Sequence, residues 1–520
     1  GSTRRLDAAR AASGGAPVAE KWPARGHAAA AAALLLVLVI FGVYGMPGLR
    51  PAVSPAARSL GVLPFVNMSP DPENTYFSDG LSEQIIAALS RIDGLRVAAR
   101  TSSFALRDGK LDARAIGDTL GVEAVLEGSV RTDRNRLRVT AQLIDASTGY
   151  HLWSHEYNRE LADVFTVQEE IARAIASALE LRLPRRGAAT PARRIPNLEA
   201  YDLYLRGLFL RNSLTVDALR QATDFFDRAI ELEPGFALAY AAKASVVAPR
   251  IYFRHVPREN GVSDMRAAVA RALELDSTLG EAHAALGILR LFFDWDWEGA
   301  QQALRRAIEL NPSDPHAYHH LANYLQAMSR PEEAVGARAR AVELDPLNAR
   351  TGILLGADHA AAGDLDQAII QFRRALRLDP VHPLALGLGP ELPVGPAGVY
   401  LRQGRYKEAV DEYVRIATLR GATGSELDSM RSAFAESAMP GFWRSWLAMD
   451  LRQSESTPDP LRVASLWALI GDTAQAFHWL DRAYDERNPG LILLRSGSFE
   501  NLHSHPRVAR ILTEMRFPDP

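Results

Sequence analysis

The sequence predicts α/β plus all-α architecture: a mixed α/β domain and a C-terminal α-solenoid, preceded by a single N-terminal transmembrane helix. Three observations predict it. Residues 26–49 carry no charge and contain the apolar run LLLVLVIFGVY. Short apolar runs and helical patterns alternate over residues 60–183. From residue 198 onward, a phrase that ends in proline returns at a regular interval.

Composition limits the classes of protein that this chain can be. It has 520 residues, which at about 150 residues per domain allows about three domains. Its 59 basic and 62 acidic residues give a net charge of −3, so there is no overall electrostatic case for nucleic acid binding. It has no cysteine, which excludes disulfides and thiolate metal sites and suits a reducing or an oxidising compartment equally.

The uncharged run predicts a membrane span at residues 28–49. At about 1.5 Å per residue, a helix of this length crosses a hydrocarbon core of about 30 Å. Its alanine-rich start is only weakly apolar, so a cleaved secretory signal peptide is the alternative. Pro51 and Pro55 stand where a small-x-small cleavage site would be needed, which favours an uncleaved anchor.

Flanking charge predicts the orientation. Five basic residues precede the run, whereas only Arg50 and Arg58 closely follow it. The positive-inside rule then makes residues 1–27 a basic cytoplasmic tail and places the rest outside. The predicted location is the bacterial inner membrane, single-pass, with the C-terminal domains periplasmic. The chain starts with Gly-Ser and not methionine, so an upstream segment stays open.

Residues 59–183 read as one mixed α/β domain. The expected strands cover residues 60–65, 95–99, 124–131, 137–145 and 151–157, and the expected helices cover 81–92, 113–120 and 164–183. The fourth strand alternates strictly. We therefore expect one buried face, made of Leu137, Val139, Ala141 and Leu143.

The polar stretch between the first strand and the first helix is interpreted as framework. It contains turn chemistry, and we expect the helix to start near Ser78 or Asp79 with one of these side chains as its cap. Asp71 and Glu73 have the spacing of calcium ligands, but Tyr76 stands where such a loop needs glycine. We predict no catalytic, cofactor-binding or metal-binding residues and no cofactor.

Three separated motifs carry a resemblance. VLPFVNMSPDPENTYFSDGLSEQI, LRVAARTSSFAL and LGVEAVLEGSVRTDRNRLRVTAQLIDASTGYHLWSHEYNREL are similar to the TolB-like amino-terminal domain family of bacterial envelope and signalling proteins. The resemblance implies a non-enzymatic domain outside the membrane, followed by tetratricopeptide repeats. In many such chains a cytoplasmic output module precedes the span, either a winged-helix DNA-binding domain, as in CadC-type regulators, or a class III nucleotide cyclase. Here only residues 1–27 precede the apolar run.

The linker PRRGAATPARRIPN, residues 184–197, leads into the repeats at 198–520. Its arginines fit a solvated linker, with lipid contact as the alternative. Ala307, Ala341 and Ala375 recur at equal intervals in the phrases RRAIELNP, ARAVELDP and RRALRLDP. These phrases resemble the second helix of a tetratricopeptide repeat (TPR), whose period is about 34 residues. We expect about seven or eight helical pairs in a solenoid.

Upstream of the repeated alanines, a small residue and a large residue recur, and they indicate how the paired helices pack. Small residues precede the alanine by seven at Ala300, Ala334, Ala368 and Ala476, and by eight at Ala409. Larger residues fill the space between the helices at Phe226, Leu304, Phe372 and Tyr413. The alanine interval is longer in three other places, which we interpret as loop insertions, including residues 387–398, and one degenerate repeat.

Other features of the repeats are compatible with packing or with binding. In FFDWDWEG we expect Asp296 to cap a helix and both tryptophans to pack between repeats. The histidines of PHAYHH have helical spacing but no nearby acid, so no metal site is predicted. The partner-binding residues predicted on the first helices are His283, Arg290, His319, Asn323 and Arg350. Asn323 has the position of a carboxylate-clamp asparagine, but only Arg350 of the accompanying basic set is present.

No phosphate-binding loop, nucleophile elbow, zinc-protease or dinucleotide motif occurs in the sequence. We therefore predict that the protein is not an enzyme but a membrane-anchored periplasmic scaffold that binds a protein or peptide in the TPR groove, with no nucleic acid partner. The alternative is the sensory half of a signalling protein, a transcriptional regulator or adenylate cyclase, whose output domain lies upstream. An enzyme built on the α/β domain is a third class.

Overall fold

The computed structural model describes residues 58–107, 111–179, 197–211, 215–252, 255–382, 384–386, 395–454, 458–495 and 497–518. The predicted cytoplasmic tail (1–27) and membrane span (28–49) lie outside these residues, as does the 184–197 linker apart from its last residue. Among the residues described, no helix is both long and apolar enough to cross a bilayer. The N-terminal anchor therefore stays a prediction.

A single sheet organises the N-terminal domain. Its strands are β1 (Arg58–Val62), β2 (Val66–Asn67), β3 (Leu95–Val97), β4 (Ala124–Asp133), β5 (Arg136–Asp145) and β6 (His151–Glu160). The order is β3–β1–β4–β5–β6, with β2 beside β4. β1 runs parallel to β3 and β4, whereas β4, β5 and β6 form an antiparallel meander.

Four helices accompany the sheet: α1 (Thr75–Leu89), α2 (Arg100–Phe104), α3 (Ala113–Leu120) and α4 (Val164–Ala178). α1 and α4 share a core with the inward-facing residues of the strands. The predicted buried face of β5 is confirmed, since Leu137 is 1% exposed and its three alternating partners are fully buried. α3 packs through Ile116 on Val125, on the other side of β4.

The first helix starts earlier than the sequence suggested. α1 begins at Thr75, not near Ser78 or Asp79, because a short 3₁₀ turn at Pro72–Asn74 leads directly into it. Asp71 caps that turn, with its carboxylate accepting the backbone N–H of Glu73 at 2.9 Å. The expected cap at Asp79 is therefore wrong, since Asp79 lies inside the helix.

Seven helix pairs follow in the described part of the chain. They are α5–α6 (Leu198–Arg211, Val216–Leu232), α7–α8 (Ala237–Tyr252, Arg258–Leu275), α9–α10 (Gly280–Ile288, Trp297–Leu310), α11–α12 (Pro315–Ala327, Pro331–Leu344), α13–α14 (Ala349–Ala361, Leu365–Leu378), α15–α16 (Pro396–Arg402, Tyr406–Leu419) and α18–α19 (Pro460–Ile470, Thr473–Asp485). α17 (Gly424–Gln453) separates the last two pairs and is kinked at Ser437 and Ala438, and α20 (Pro506–Glu514) ends the array.

Small residues let the paired helices approach closely. A Cβ at Gly287 would lie 2.6 Å from the Leu304 side chain, and one at Gly356 would lie 2.6 Å from the Phe372 ring. The glycine of a first helix thus receives the large residue of the second helix. The predicted small positions are all fully buried: Ala300, Ala334, Ala368, Ala409 and Ala476.

The α/β domain and the first repeats share one hydrophobic core. This core continues from Leu60 of β1 through Tyr201 and Phe226 to Ala282 of the third pair. α1 and α5 approach closely, since a Cβ at Gly80 would lie 2.6 Å from the Leu205 side chain. Residues that precede the 184–197 linker therefore pack in the same hydrophobic core as residues that follow it.

Candidate functional site

The α/β domain also rests on turns that join one repeat to the next. Ser313 lies between α10 and α11, and its Oγ donates to the carbonyl of Leu95 at 3.3 Å. Asp345 lies between α12 and α13 and accepts from both the N–H and the Oγ of Ser102, at 3.0 and 2.6 Å. Ser102 and Asp345 are essentially inaccessible to solvent. Ser313 and Asp345, in two turns between repeats, thus form a docking contact for β3 and α2, which we call the seat.

Ion pairs hold the other side of this contact. Glu83 of α1 lies 2.6 Å from Arg211 of α5 and 2.9 Å from Arg100 of α2. Burial is the main cause that lowers the pKa of Arg100, and the charge of Glu83 opposes that effect. Asp79, which is buried, lies 2.5 Å from Arg107. Asp79 and Glu83, two acidic residues of α1, therefore contribute to the packing of the domain.

One repeat contains a buried charge at its centre. Leu304 and Phe372, one repeat period to either side, are apolar, but the position between them is Arg338, which is 1% exposed. Its Nε donates to Asp358 Oδ2 at 2.8 Å, and Gln326 donates to Asp358 Oδ1 at 2.8 Å. A buried guanidinium requires a paired and hydrogen-bonded environment of this kind.

The same guanidinium reaches the first helix of its own pair. Arg338 Nη1 donates to the carbonyl of His319 at 2.9 Å and lies 3.0 Å from its Nδ1. Arg338 Nη2 donates to Asn323 Oδ1 at 2.8 Å. We call Arg338, Asp358, His319, Asn323 and Gln326 the Arg338 network. It connects α11, α12 and α13, and so links two successive repeats.

The network fixes the protonation of His319. Because Nδ1 faces an arginine N–H, it is the acceptor and the ring is neutral. Burial, followed by the charge of Arg338, lowers the pKa of His319 well below its ordinary value. Nε2 of His319 is buried and has no hydrogen-bond partner in the described part of the chain. This N–H is a donor that the fold leaves unsatisfied.

The structure separates the five predicted partner-binding residues into two groups. His319 and Asn323 belong to the network, and Arg350 of α13 is exposed and acts on it by lowering the pKa of His319. His283 contacts the carbonyl of Ser277 at 3.0 Å, and Arg290 donates to the carbonyl of Gly299 at 3.1 Å. These two make local contacts beside α9, so a single cluster of five is not formed. Their binding role stays a prediction.

Arg338 and Asp358 were not singled out in the sequence. The available signal was periodicity, because Leu304, Arg338 and Phe372 are evenly spaced by one repeat period and only the middle one is charged. A charge at a position of buried periodicity predicts a buried partner. The sequence pattern does not reveal which residue that partner is, because Asp358 on the next repeat is not part of a periodic set.

The aromatic stretch behaves as expected and also contacts the C-terminus. Asp296 caps α10 by accepting the N–H of Gly299 at 3.0 Å, which confirms the predicted cap. Trp295 and Trp297 are each 6% exposed. Trp297 donates its indole N–H to the carbonyl of Met515 at 3.0 Å. The tryptophans therefore attach the C-terminal segment to the turn between α9 and α10.

Two comparisons with known sequences found similar proteins. Residues 303–336, which run from α10 into α12, match the family described as tetratricopeptide repeat. The chain is 38% identical over 301 residues to "Putative adenylate cyclase 3" of Rhizobium meliloti (strain 1021), a match that covers 55% of this chain. It spans only 43% of that relative's length.

Solved structures resemble parts of the chain. YrrB, titled a TPR protein with an unusual peptide-binding site, is 24% identical with a TM-score of 0.25. The match covers 36% of this chain and 91% of the YrrB chain. PilF of Pseudomonas aeruginosa is 17% identical with a TM-score of 0.30, and the match covers 50% of this chain and 95% of the PilF chain. Human IFIT1 is 13% identical with a TM-score of 0.38, and the match covers 62% of this chain and 79% of the IFIT1 chain. These low values support no inference about ligands.

Proposed function

We propose that this chain is a non-catalytic scaffold that binds a protein or peptide on the first helices of its repeats. The observation that carries the proposal is the Arg338 network, which replaces an apolar contact by hydrogen-bonding groups beneath α11. His319 Nε2 is a buried donor without a partner among the described residues. Arg350 adds a positive charge on the next first helix. The exposed charge of Arg350 suits a segment with a carboxylate or backbone carbonyls, and the buried network connects the first helices α11 and α13 that would carry the segment.

The proposal includes location. The uncharged run at residues 28–49 and the basic residues before it support a single-pass inner-membrane anchor with the following domains in the periplasm. The motifs between residues 60 and 183 support a TolB-like domain. The six-stranded sheet with flanking helices is compatible with that resemblance. On this view the sheet domain is fixed to the repeats and presents them at a set angle.

A specific observation favours a second candidate, the sensory half of a signalling protein. The rhizobial relative is named as an adenylate cyclase, and the matched region spans 43% of it. A chain of this kind would transmit binding in the groove to an output domain elsewhere in the protein. The scaffold then serves as the receiving part of a cyclase or a transcriptional regulator.

Binding is tested with the full chain and a displayed random-peptide library. We expect the selected peptides to lose at least about tenfold in affinity with Arg350→Glu, since this change reverses a charge on the first helix α13. The matched control is Arg373→Glu on α14, which is also exposed but lies on a second helix. Equal binding to both variants would show that the first helices are not the binding surface.

The signalling alternative needs the complete reading frame. If a cyclase module precedes this region, the longer protein should form cyclic AMP from ATP, and the 520-residue chain alone should not. A selected peptide should change that rate in the parent but not in the Arg350→Glu variant. Cyclic AMP formation by the 520-residue chain would instead place catalysis within it and contradict both candidates.

A further inference from the structure

A cavity lies where the C-terminal end of the array meets the second repeat. Its volume is about 480 Å³, within the range of about 300–1,000 Å³ typical of small-molecule sites. One wall is the segment before α8, including His255, Pro257 and Arg258, and the other includes Asp459 and Arg487. Side chains far apart in sequence thus converge on one enclosed space.

The cavity is lined by two arginines, Arg258 and Arg487, and two acids, Asp459 and Glu486. Arg258 and Arg487 form no ion pair with an acid of the described residues, and the charge of Arg487, after burial, lowers the pKa of Arg258. Arg258 Nη2 donates to the carbonyl of Phe293 at 2.8 Å, but its Nε is buried without a described partner. Two guanidinium groups therefore influence one another with no ion-paired acid between them in the described part of the chain.

The acids of the lining are already in use. Asp459 accepts the backbone N–H groups of Leu461 and Arg462 at 2.9 and 3.1 Å, at the start of α18. Asn488 donates to the same carboxylate at 3.2 Å. Glu486 pairs with Arg482 at 2.8 Å. Both carboxylates are therefore engaged by other groups, and neither forms an ion pair with Arg258 or Arg487 in the described part of the chain.

We propose that this cavity binds a small anionic molecule through Arg258 and Arg487. The ligand class is an oxyanion, a carboxylate or phosphate group on a compact organic molecule. Guanidinium groups present planar pairs of N–H donors that match carboxylate and phosphate oxygens. Ile251 and Val256 line the same space and suit a short apolar part of the ligand. This site is separate from the Arg338 network and from Arg350.

Anchoring favours recognition by these two arginines. Arg487 lies over the Trp295 ring, with its guanidinium carbon 5.2 Å from the ring centroid, and Arg258 is held by the Phe293 carbonyl. Both contacts restrict the side chains before a ligand arrives, so less conformational freedom is lost on binding. A ligand here would bridge the second repeat and the C-terminal segment.

The test uses the full 520-residue chain with two probes, inorganic phosphate and citrate, at constant ionic strength set with chloride. Either probe should raise the thermal midpoint of the parent, because a ligand that binds only the folded state stabilises it. In titration calorimetry, Arg258→Gln and Arg487→Gln should each weaken binding at least about tenfold, since each loses charge-assisted hydrogen bonds. The stronger probe identifies the group, phosphate or carboxylate.

The matched control is Arg271→Gln on the same helix α8, where Arg271 pairs with Glu274 outside the cavity. It should bind the probes as the parent does, and Arg258→Lys should retain part of the affinity because it keeps the charge. If Arg258→Gln fails to fold, Arg487→Gln alone decides. Equal midpoint shifts in the parent, Arg271→Gln and Arg487→Gln would be a general salt effect and would overturn the proposal. So would the absence of binding of either probe at about 10 mM, a concentration that saturates even a weak site.

Discussion

Arg338 occupies a position that neighbouring repeats fill with an apolar side chain, and its hydrogen-bond partners compensate the cost of burying its charge. Its guanidinium bonds to Asp358, Asn323 and the carbonyl of His319, so its charge is compensated in the interior. Replacing a buried ion pair by well-packed apolar residues is often neutral or stabilising, whereas removing one partner is costly. The pair is therefore better explained by specificity of repeat packing than by stability.

This difference gives the first prediction. Arg338→Ala should lower the free energy of unfolding by about 3–5 kcal/mol, because Asp358 is left as a buried, unpaired charge. The double change Arg338→Leu with Asp358→Leu should recover most of that loss. Urea unfolding followed by circular dichroism measures both. Arg340→Leu, which removes an exposed pair with Glu343, should change the value by less than about 0.5 kcal/mol. A single variant as stable as the parent would contradict the network.

A second prediction concerns pH. Burial, followed by the charge of His316, lowers the pKa of His320 well below its ordinary 6.5. The unfolded chain takes up this proton near pH 6.5 and the folded chain does not, so stability is full above that pH and falls below it. The loss due to His320 should approach about 1.4 kcal/mol per pH unit. It should be smaller in His320→Leu and unchanged in the exposed-residue control His151→Leu. Parallel pH profiles for the parent and His320→Leu would exclude this origin.

Single residues were the least predictable level from sequence. Asp79 has the residue type and place of a cap, yet it is buried and paired with Arg107 because the 3₁₀ turn at Pro72–Asn74 starts the helix earlier. The cap at Asp296 was predictable because it depends on neighbours in sequence. Partners such as Arg338 and Asp358 come from different repeats, so local pattern does not contain them.

Elements were largely predictable because their signals are periodic. α3 has the expected bounds, Ala113–Leu120, and the alternating face of β5 is buried as expected. The repeat helices follow from the regular spacing of their alanines, and the described structure has seven pairs, within the expected seven or eight. The kink in α17 was not predictable from spacing. It depends on non-helical backbone at Ser437 and Ala438, followed by Pro440 within the helix.

Two helix glycines should respond oppositely to alanine. A Cβ at Gly356 would meet the Phe372 ring at 2.6 Å, so Gly356→Ala should force α13 and α14 apart and cost about 1–3 kcal/mol. Gly336 lies within α12, and a Cβ there meets nothing within 4 Å. Gly336→Ala should therefore stabilise by about 0.5–1 kcal/mol through helix propensity. Thermal unfolding measures both, and equal signs would show that the helix pairs do not interlock as described.

At the scale of the molecule, the sheet domain and the repeats are continuous. The linker at residues 184–197 separates the two parts in sequence, but among the described residues the core of β1 extends into the third repeat pair. Sequence periodicity identifies each part and contains no information about where one docks on the other. The seat at Ser313 and Asp345 depends on side chains that repeat-to-repeat turns happen to present to β3 and α2.

The last prediction tests that seat. Asp345→Ala removes the acceptor of both the N–H and the Oγ of Ser102, and each buried group left unpaired costs about 1–3 kcal/mol. We expect backbone amides of residues 95–107 to exchange hydrogen faster in the variant, while amides of the repeat helices α13 and α14 keep the rates of the parent. Mass-spectrometric hydrogen exchange on the full chain measures these segments separately.

The matched control lies one repeat further along. Asp379 occupies the position in the next repeat that corresponds to Asp345, and accepts only the local N–H of Val381 at 3.2 Å in the described contacts. Asp379→Ala should leave exchange in residues 95–107 unchanged, because that turn makes no described contact with β3 or α2. If both variants accelerated exchange there equally, the effect would come from general loosening of the solenoid. If neither did, the hydrogen bonds of Asp345 to Ser102 would contribute nothing measurable to the position of the sheet domain.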